Sequence, residues 1–147
     1  MSTPAVERLV RAFFEEALNA RDLSAIPRFC GSGYIWHGTS DPRGGVVGLE
    51  AFAAGVAAFF EAFPDIHATV LDVVASGERA AVRFYETGTH RGAFMGAAPT
   101  GRAVRWDGIA IYRAQGGLLV EEWSVGDNLS LLRQIDAVAP VSGVSAP

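Results

Sequence analysis

The run Leu118–Asp127, LLVEEWSVGD, sets two adjacent carboxylates just ahead of a serine. Side chains alternate along a strand, so Glu122, Ser124 and Gly126 share one face while Glu121, Trp123 and Val125 take the other. A carboxylate in an apolar cavity has its charged form disfavoured and its proton affinity raised, which suits a general acid or base near neutral pH. Glu122 is therefore the first catalytic candidate; a glutamate at the wet end of the strand, or paired with an arginine, is the alternative. The hydroxyl of Ser124, Tyr34 or Tyr112 could donate a hydrogen bond to a developing oxyanion. His37 follows Tyr34-Ile35-Trp36, precedes a glycine-rich stretch, and can titrate near neutrality as acid, base or donor.

The other polar candidates read as structural. His90, in Gly-Thr-His-Arg-Gly at a strand end, suits a hydrogen-bonding role, and His67 at the start of a strand suits partial exposure. None of the three histidines stands at a spacing that favours a metal site. Asp127 precedes Leu129, Leu131, Leu132 and Ile135, where it can cap a final helix. Asp107 points outward by parity beside Arg105, as in a surface ion pair, and a bulge would be needed to turn it inward. The single cysteine, Cys30, cannot form an internal disulfide and reads as a small buried hydrophobe.

These residues need elements to hold them. Pro4 fits the first turn of a helix capped by Thr3, with Val6, Leu9, Val10, Phe13, Phe14, Ala17 and Leu18 at helical spacing. Asp22 can cap a short second helix through Leu23, Ile26 and Phe29, and Gly38–Gly48 reads as a loop of the kind that rims a pocket. A third helix carries Leu49, Phe52, Val56, Phe59, Phe60 and Phe63 and stops at Pro64. The period then changes to about two, giving strands at Ile66–Ala75, Ala80–Thr89, Ala103–Ala114 and Leu118–Asp127, joined by Ser76-Gly77-Glu78, the long link Gly88–Arg102, and Gln115-Gly116-Gly117. The last turn brings Ala110 roughly opposite Ser124. Helices followed by an antiparallel meander argue for an α+β fold, with the helices covering one face of a curved antiparallel sheet around a conical cavity.

The sequence has 147 residues, half of them hydrophobic, with a net charge of −4 and a pI of about 5.3. That length suits one domain, expected over residues 1–138, followed by a loose tail at 139–147. The acidic balance excludes nucleic acid and anionic membranes as expected partners, and a cytoplasmic location fits the single thiol.

The segment from Tyr85 to Gln134, YETGTHRGAFMGAAPTGRAVRWDGIAIYRAQGGLLVEEWSVGDNLSLLRQ, resembles the SnoaL-like polyketide cyclase family, a branch of the nuclear-transport-factor-2-like proteins. The likeness extends in pattern to the Phe-rich first helix, Tyr34 and Gly48-Leu49-Glu50-Ala51-Phe52. It implies a cone-shaped α+β barrel and an intramolecular aldol closure with no metal or organic cofactor. The family's catalytic aspartate falls on Ser124 and its partner histidine on Ala110. If both positions face inward as in the family, the cavity floor is Trp106, Gly108, Ala110, Tyr112, Glu122 and Ser124, and Glu122 is the one inward carboxylate on those two strands. The resemblance also places His37 at the pocket. Catalytic candidates are thus Glu122, His37 and Ser124; substrate-binding candidates are Tyr34, Trp36, Trp106, Ala110 and Tyr112, with Phe14 and Phe60 from the helices.

Three functions fit these residues. The first is a cofactor-independent cyclase or isomerase acting on a small apolar, polyketide-like intermediate, by preorganisation with acid/base help. The second is an epoxide hydrolase or epoxide-opening cyclase, which needs two carboxylates. The third is a non-catalytic ligand-binding protein that has lost its catalytic pair. Trp123, Ile109, Ile111 and Val125 form an apolar strip on the outer face, from which a homodimer is expected.

Overall fold

A computed structural model describes residues 1–38 and 45–139. The centre of the expected Gly38–Gly48 loop and the expected tail beyond residue 139 lie outside the described residues. No helix among the described residues is long and apolar enough to cross a membrane.

The chain opens with α1, Thr3–Phe13, which continues as a π-helical turn over Phe14–Asn19. Pro4 sits in the first turn, as its fixed φ favours, but the cap position is Ser2, one residue before the expected Thr3. The Thr3 hydroxyl instead accepts from the Gly77 N–H at 3.1 Å, tying the helix start to a hairpin turn. Asp22 caps as predicted, accepting from the Ser24 N–H at 3.0 Å, and leads into a short 3-10 turn at Leu23–Ala25 and then α2, Ile26–Phe29.

Six strands follow where four were predicted. The predicted four are β3 (His67–Ser76), β4 (Arg79–Thr89), β5 (Ala103–Gln115) and β6 (Leu118–Gly126). The sequence pattern did not reveal β1, Cys30–Gly38, or the two-residue β2, Val46–Val47. Between β2 and β3 runs α3, Leu49–Ala62, and α4, Asn128–Gln134, closes the described fold. The sheet order is β2-β1-β6-β5-β4-β3. It is mixed, which corrects the all-antiparallel expectation, because β1 lies parallel to β6 with Trp36 beside Glu122 and Gly38 beside Ser124.

Register in the rest of the sheet is fixed by tight turns. Gly116 and Gly117 both hold positive φ, 60° and 82°, the conformation that a two-residue hairpin loop needs to follow strand twist. The β5–β6 ladder then sets Ala110 opposite Ser124 and Tyr112 opposite Glu122. Irregularities between Val70 and Asp72 and between Arg113 and Ala114 help the sheet curl.

Alternation along β5 is clean: Val104, Trp106, Ala110, Tyr112 and Ala114 are buried on the concave face, whereas Ile109 and Ile111 are exposed. Val6, Val10, Phe13 and Phe14 of the first helix fill that concavity, with the Phe14 ring edge-on to Phe84 and Tyr112. A second cluster, Phe63, Ile66, Trp106, Leu131 and Ile135, closes the other end. The architecture is an α+β cone, with the N-terminal helices laid on a curved six-stranded sheet.

Candidate active site

Glu122 lies on the concave face of β6 with only 7% of its surface exposed. The Tyr34 hydroxyl, from the neighbouring strand β1, donates to Glu122 Oε2 at 2.6 Å. Tyr34 has no accessible surface, and burial beside Glu122 pushes its phenol well above the usual value, so it remains a donor. Burial also raises the proton affinity of Glu122, against the hydroxyls of Tyr34 and Ser124, which favour its charged form. The Trp36 indole N–H donates to Ser124 Oγ at 2.7 Å, so β1 fixes both polar groups of β6 through residues two apart on one face. Among the described residues, no arginine pairs with Glu122.

A residue not singled out in the sequence stands on the same face. Glu86 follows Phe84 by two on β4 and pairs in register with Trp106. Its side chain is half-buried. Loss of hydration pushes its carboxyl up to about 7, a hydrogen bond from Trp106 opposes the rise, and the charge of Glu122 adds to it. Alternation from Ala80 and Val82 was the available signal, but Tyr85-Glu86-Thr87 without a register looks like an ordinary strand end.

Half-buried side chains stand on α3 and on the strands that carry these carboxylates. The main contacts of α3 are with β1, β2 and the 3-10 turn, and its residues Phe52, Val56, Phe59 and Phe60 stay partly accessible. Facing strands contribute Trp36, Phe84, Glu86 and Ser124 at similar exposure. The candidates Tyr34, Ala110, Tyr112 and Phe14 are buried to within 2% of completely and lie behind this lining. They shape and hold the floor and present almost no surface to a ligand, which corrects their expected role as direct contacts. Trp106 belongs to the same floor, while Phe60 remains in the accessible wall.

His37 is corrected more sharply. Alternation along β1 turns it to the convex face, away from Tyr34 and Trp36, where Nε2 lies 2.9 Å from Glu121 Oε1 and the ring stacks on Trp123 at 5.2 Å. Glu121 also accepts from Arg113 Nε at 2.9 Å, which completes an ion-pair cluster outside the cone. His37 is not brought together with Glu122. His90 is fully buried beside Phe63, its Nδ1 accepting from the Thr100 N–H at 3.2 Å, and it ties down the Gly88–Arg102 link. Asp127 caps α4 through the Ser130 N–H at 2.9 Å, Asp107 is exposed beside Arg105, and burial raises the Cys30 thiol far above reactive range.

Two open depressions lie elsewhere. One, about 420 Å³, is lined by Leu23, Ile26, Pro27, Ser32, Leu49, Glu50 and Ala53. The other, about 600 Å³, lies over the glycine pair Gly108 and Gly126 with Leu71, Ile109, Val125 and Leu129 around it. Neither is lined by Glu122 or Glu86, and the second has Arg83, Asp107, Asp127 and Asn128 among its lining residues. Among the described residues, no three His, Cys, Asp or Glu side chains are grouped to hold a metal ion. Every cationic side chain apart from histidine is an arginine, so the sequence offers no lysine for a Schiff base.

A cone of helices on a curved mixed sheet is the fold of the nuclear-transport-factor-2-like class of proteins. Within that class the chain belongs to the SnoaL-like polyketide cyclase family, whose pattern it matches over residues 8–135. It is similar to AclR from Streptomyces galilaeus, provisionally described as a hydroxylase: 27% identity, TM-score 0.84, covering 97% of this chain and 91% of that one. It is similar as well to IdmH from Streptomyces antibioticus, provisionally described as a polyketide cyclase: 28% identity, TM-score 0.78, covering 89% and 98%. A SnoaL-like protein from Jannaschia sp. CCS1, at 24% identity and TM-score 0.85 over 93% and 95%, shares the fold. No protein of curated function matches the sequence.

Proposed function

We propose that this protein is a cofactor-independent cyclase or isomerase acting on an apolar, polyketide-like intermediate, with Glu122 as the proton acceptor. The carrying observation is the Glu122 carboxylate itself: desolvated, held at one oxygen by the Tyr34 hydroxyl at 2.6 Å, and set on the concave face of the sheet. Desolvation strengthens it as a base, while the hydrogen bonds favour its ionised form against that rise and aim it. Tyr34, Ser124 and Trp36 position this group; Phe52, Phe59 and Phe60 supply the apolar wall that folds a flexible or multi-ring ligand toward it. Family membership supports the substrate class, and the likeness to IdmH, provisionally described as a polyketide cyclase, supports ring closure.

A second reading, hydrolytic opening of an epoxide, is favoured by the second concave-face carboxylate, Glu86. Mass spectrometry of an extract of polyketide intermediates incubated with the protein separates the readings. Cyclisation or isomerisation gives a product of unchanged mass and altered retention, and epoxide hydrolysis gives one heavier by a water. A bound molecule recovered unaltered would contradict both and leave a binding protein. The convex strip around Ile109, Ile111 and Val125 supports a homodimer in either case.

A further inference from the structure

We propose that residues 93–100 form a hinged flap over the aromatic end of α3, closed by Phe94 and latched on His90, through which an apolar ring-bearing ligand enters. The flap goes beyond the chemistry above and does not depend on which group moves a proton.

The flap is a unit of its own. Phe94 and Ala97 exchange backbone hydrogen bonds at 3.0 and 2.8 Å, and Met95 and Gly96 between them hold φ of 46° and 84°, the two positive values of a type I′ turn. These backbone bonds close within the segment, so the turn can move without losing them. Its grip on the body is apolar: the Phe94 ring lies 5.3 Å from both Phe59 and Phe63, with Ala97 packed against the same cluster. Both ends are pinned. The Arg91 and Gly92 N–H groups donate to the Ala62 carbonyl at 3.0 and 3.1 Å, and Gly101, at φ 72°, donates to the His90 carbonyl at 2.8 Å. A preformed turn between two fixed glycines, held down by apolar contact, is built to swing as one piece.

The latch is the His90 imidazole. The Thr100 N–H can only donate, and it meets Nδ1 at 3.2 Å, with the Thr100 hydroxyl 3.0 Å from the same nitrogen. In the neutral ring the hydrogen therefore sits on Nε2. His90 has no accessible surface, and among the described residues its Nε2 is the one buried side-chain nitrogen or oxygen without a hydrogen-bond partner. The closed flap thus holds a desolvated N–H that water would satisfy once Thr100 lifts away. Phe94 packing favours closure and the Nε2–H favours opening, so the two states lie close in free energy.

Opening bares the rings of Phe59 and Phe63, and Phe63 lies 5.2 Å from Trp106 on the concave face. A surface of that kind fits an uncharged molecule with a planar ring in place of the Phe94 phenyl.

Amide hydrogen exchange and nitrogen NMR of histidine-labelled protein test the flap and its latch. Thr100 should exchange faster than Gly92 and Gly101, since lifting breaks its bond and spares those at the hinges. The His90 Nε2–H should appear protonated, free of a hydrogen bond, and exchanging in step with Thr100. Phe94→Ala should speed both by about tenfold, the scale of removing one packed ring, and leave Gly92 unchanged. Thr100 and Gly92 exchanging together overturns the hinged motion, and an Nε2 that is unprotonated or already hydrogen-bonded overturns the latch. Entry is read by stopped-flow quenching of tryptophan fluorescence with 2-tetralone, a flat bicyclic ketone with an acidic C–H. Its association rate should rise about tenfold in Phe94→Ala. Equal rates in the two proteins, or binding by neither, overturns the flap as the way in.

Discussion

Tyr34 and Glu122 are separated by 88 positions in the chain, yet their side chains meet in a buried hydrogen bond of 2.6 Å. The hydroxyl donates to the charged carboxylate, a type of hydrogen bond worth about 1.5–3 kcal/mol. Tyr34→Phe should therefore raise the proton affinity of Glu122 and move the rising limb of any Glu122-dependent rate to higher pH, readable in a pH–rate profile; an unmoved limb would deny Tyr34 its positioning role. Glu86 gives a stability test with a definite sign. Its folded-state value, about 7, exceeds its ordinary value of 4.5, so the folded protein holds the proton longer than the unfolded chain. Stability from this group therefore falls as pH rises from 4.5 to about 7 and then levels off. Glu86→Gln removes that penalty: it should match the wild type in acid and exceed it by on the order of 1–3 kcal/mol above neutrality, measured by denaturant melts. A variant equally less stable at every pH would contradict this.

At the level of elements, the glycines separate packing from tolerance. A Cβ on Gly92 would collide with the backbone carbonyl of Glu61, whereas Gly55, within α3, has nothing near it. Gly92→Ala should cost about 1–3 kcal/mol by overpacking, and Gly55→Ala should gain about 0.5–1 kcal/mol from helix propensity, both read from melting curves. Periodicity located β3 to β6 because long alternating runs and glycine turns dominate there, and it gave the Glu122 side of the site. It missed β1, since Cys30-Gly31-Ser32-Gly33 weakens the strand signal before Tyr34, and β1 is where the parallel pairing and both site-fixing donors originate. The misplacement of His37 follows from the same gap. Without a strand assignment for residues 30–38, nothing showed that Tyr34 and Trp36 share one face and His37 the other. Glu86 was missed for want of a register relating β4 to the floor.

For the molecule as a whole, the convex face is the unfinished surface. Val74, Ile109 and Val125 are 71%, 55% and 53% exposed, while the Trp123 ring stacks with His37 and has the Arg79 guanidinium over it. A dimer across this face should appear in light scattering, and Ile109→Glu with Val125→Glu should convert it to a monomer; a wild-type monomer would leave the strip without this explanation. The most direct measurement is the rate of deuterium incorporation at the α-carbon of 2-tetralone by the wild-type protein and by Glu122→Gln, under conditions where both are folded. General-base action by Glu122 predicts enzyme-accelerated exchange in the wild type and a loss of about 10²–10⁴-fold in the variant. Equal exchange by the two proteins would contradict it.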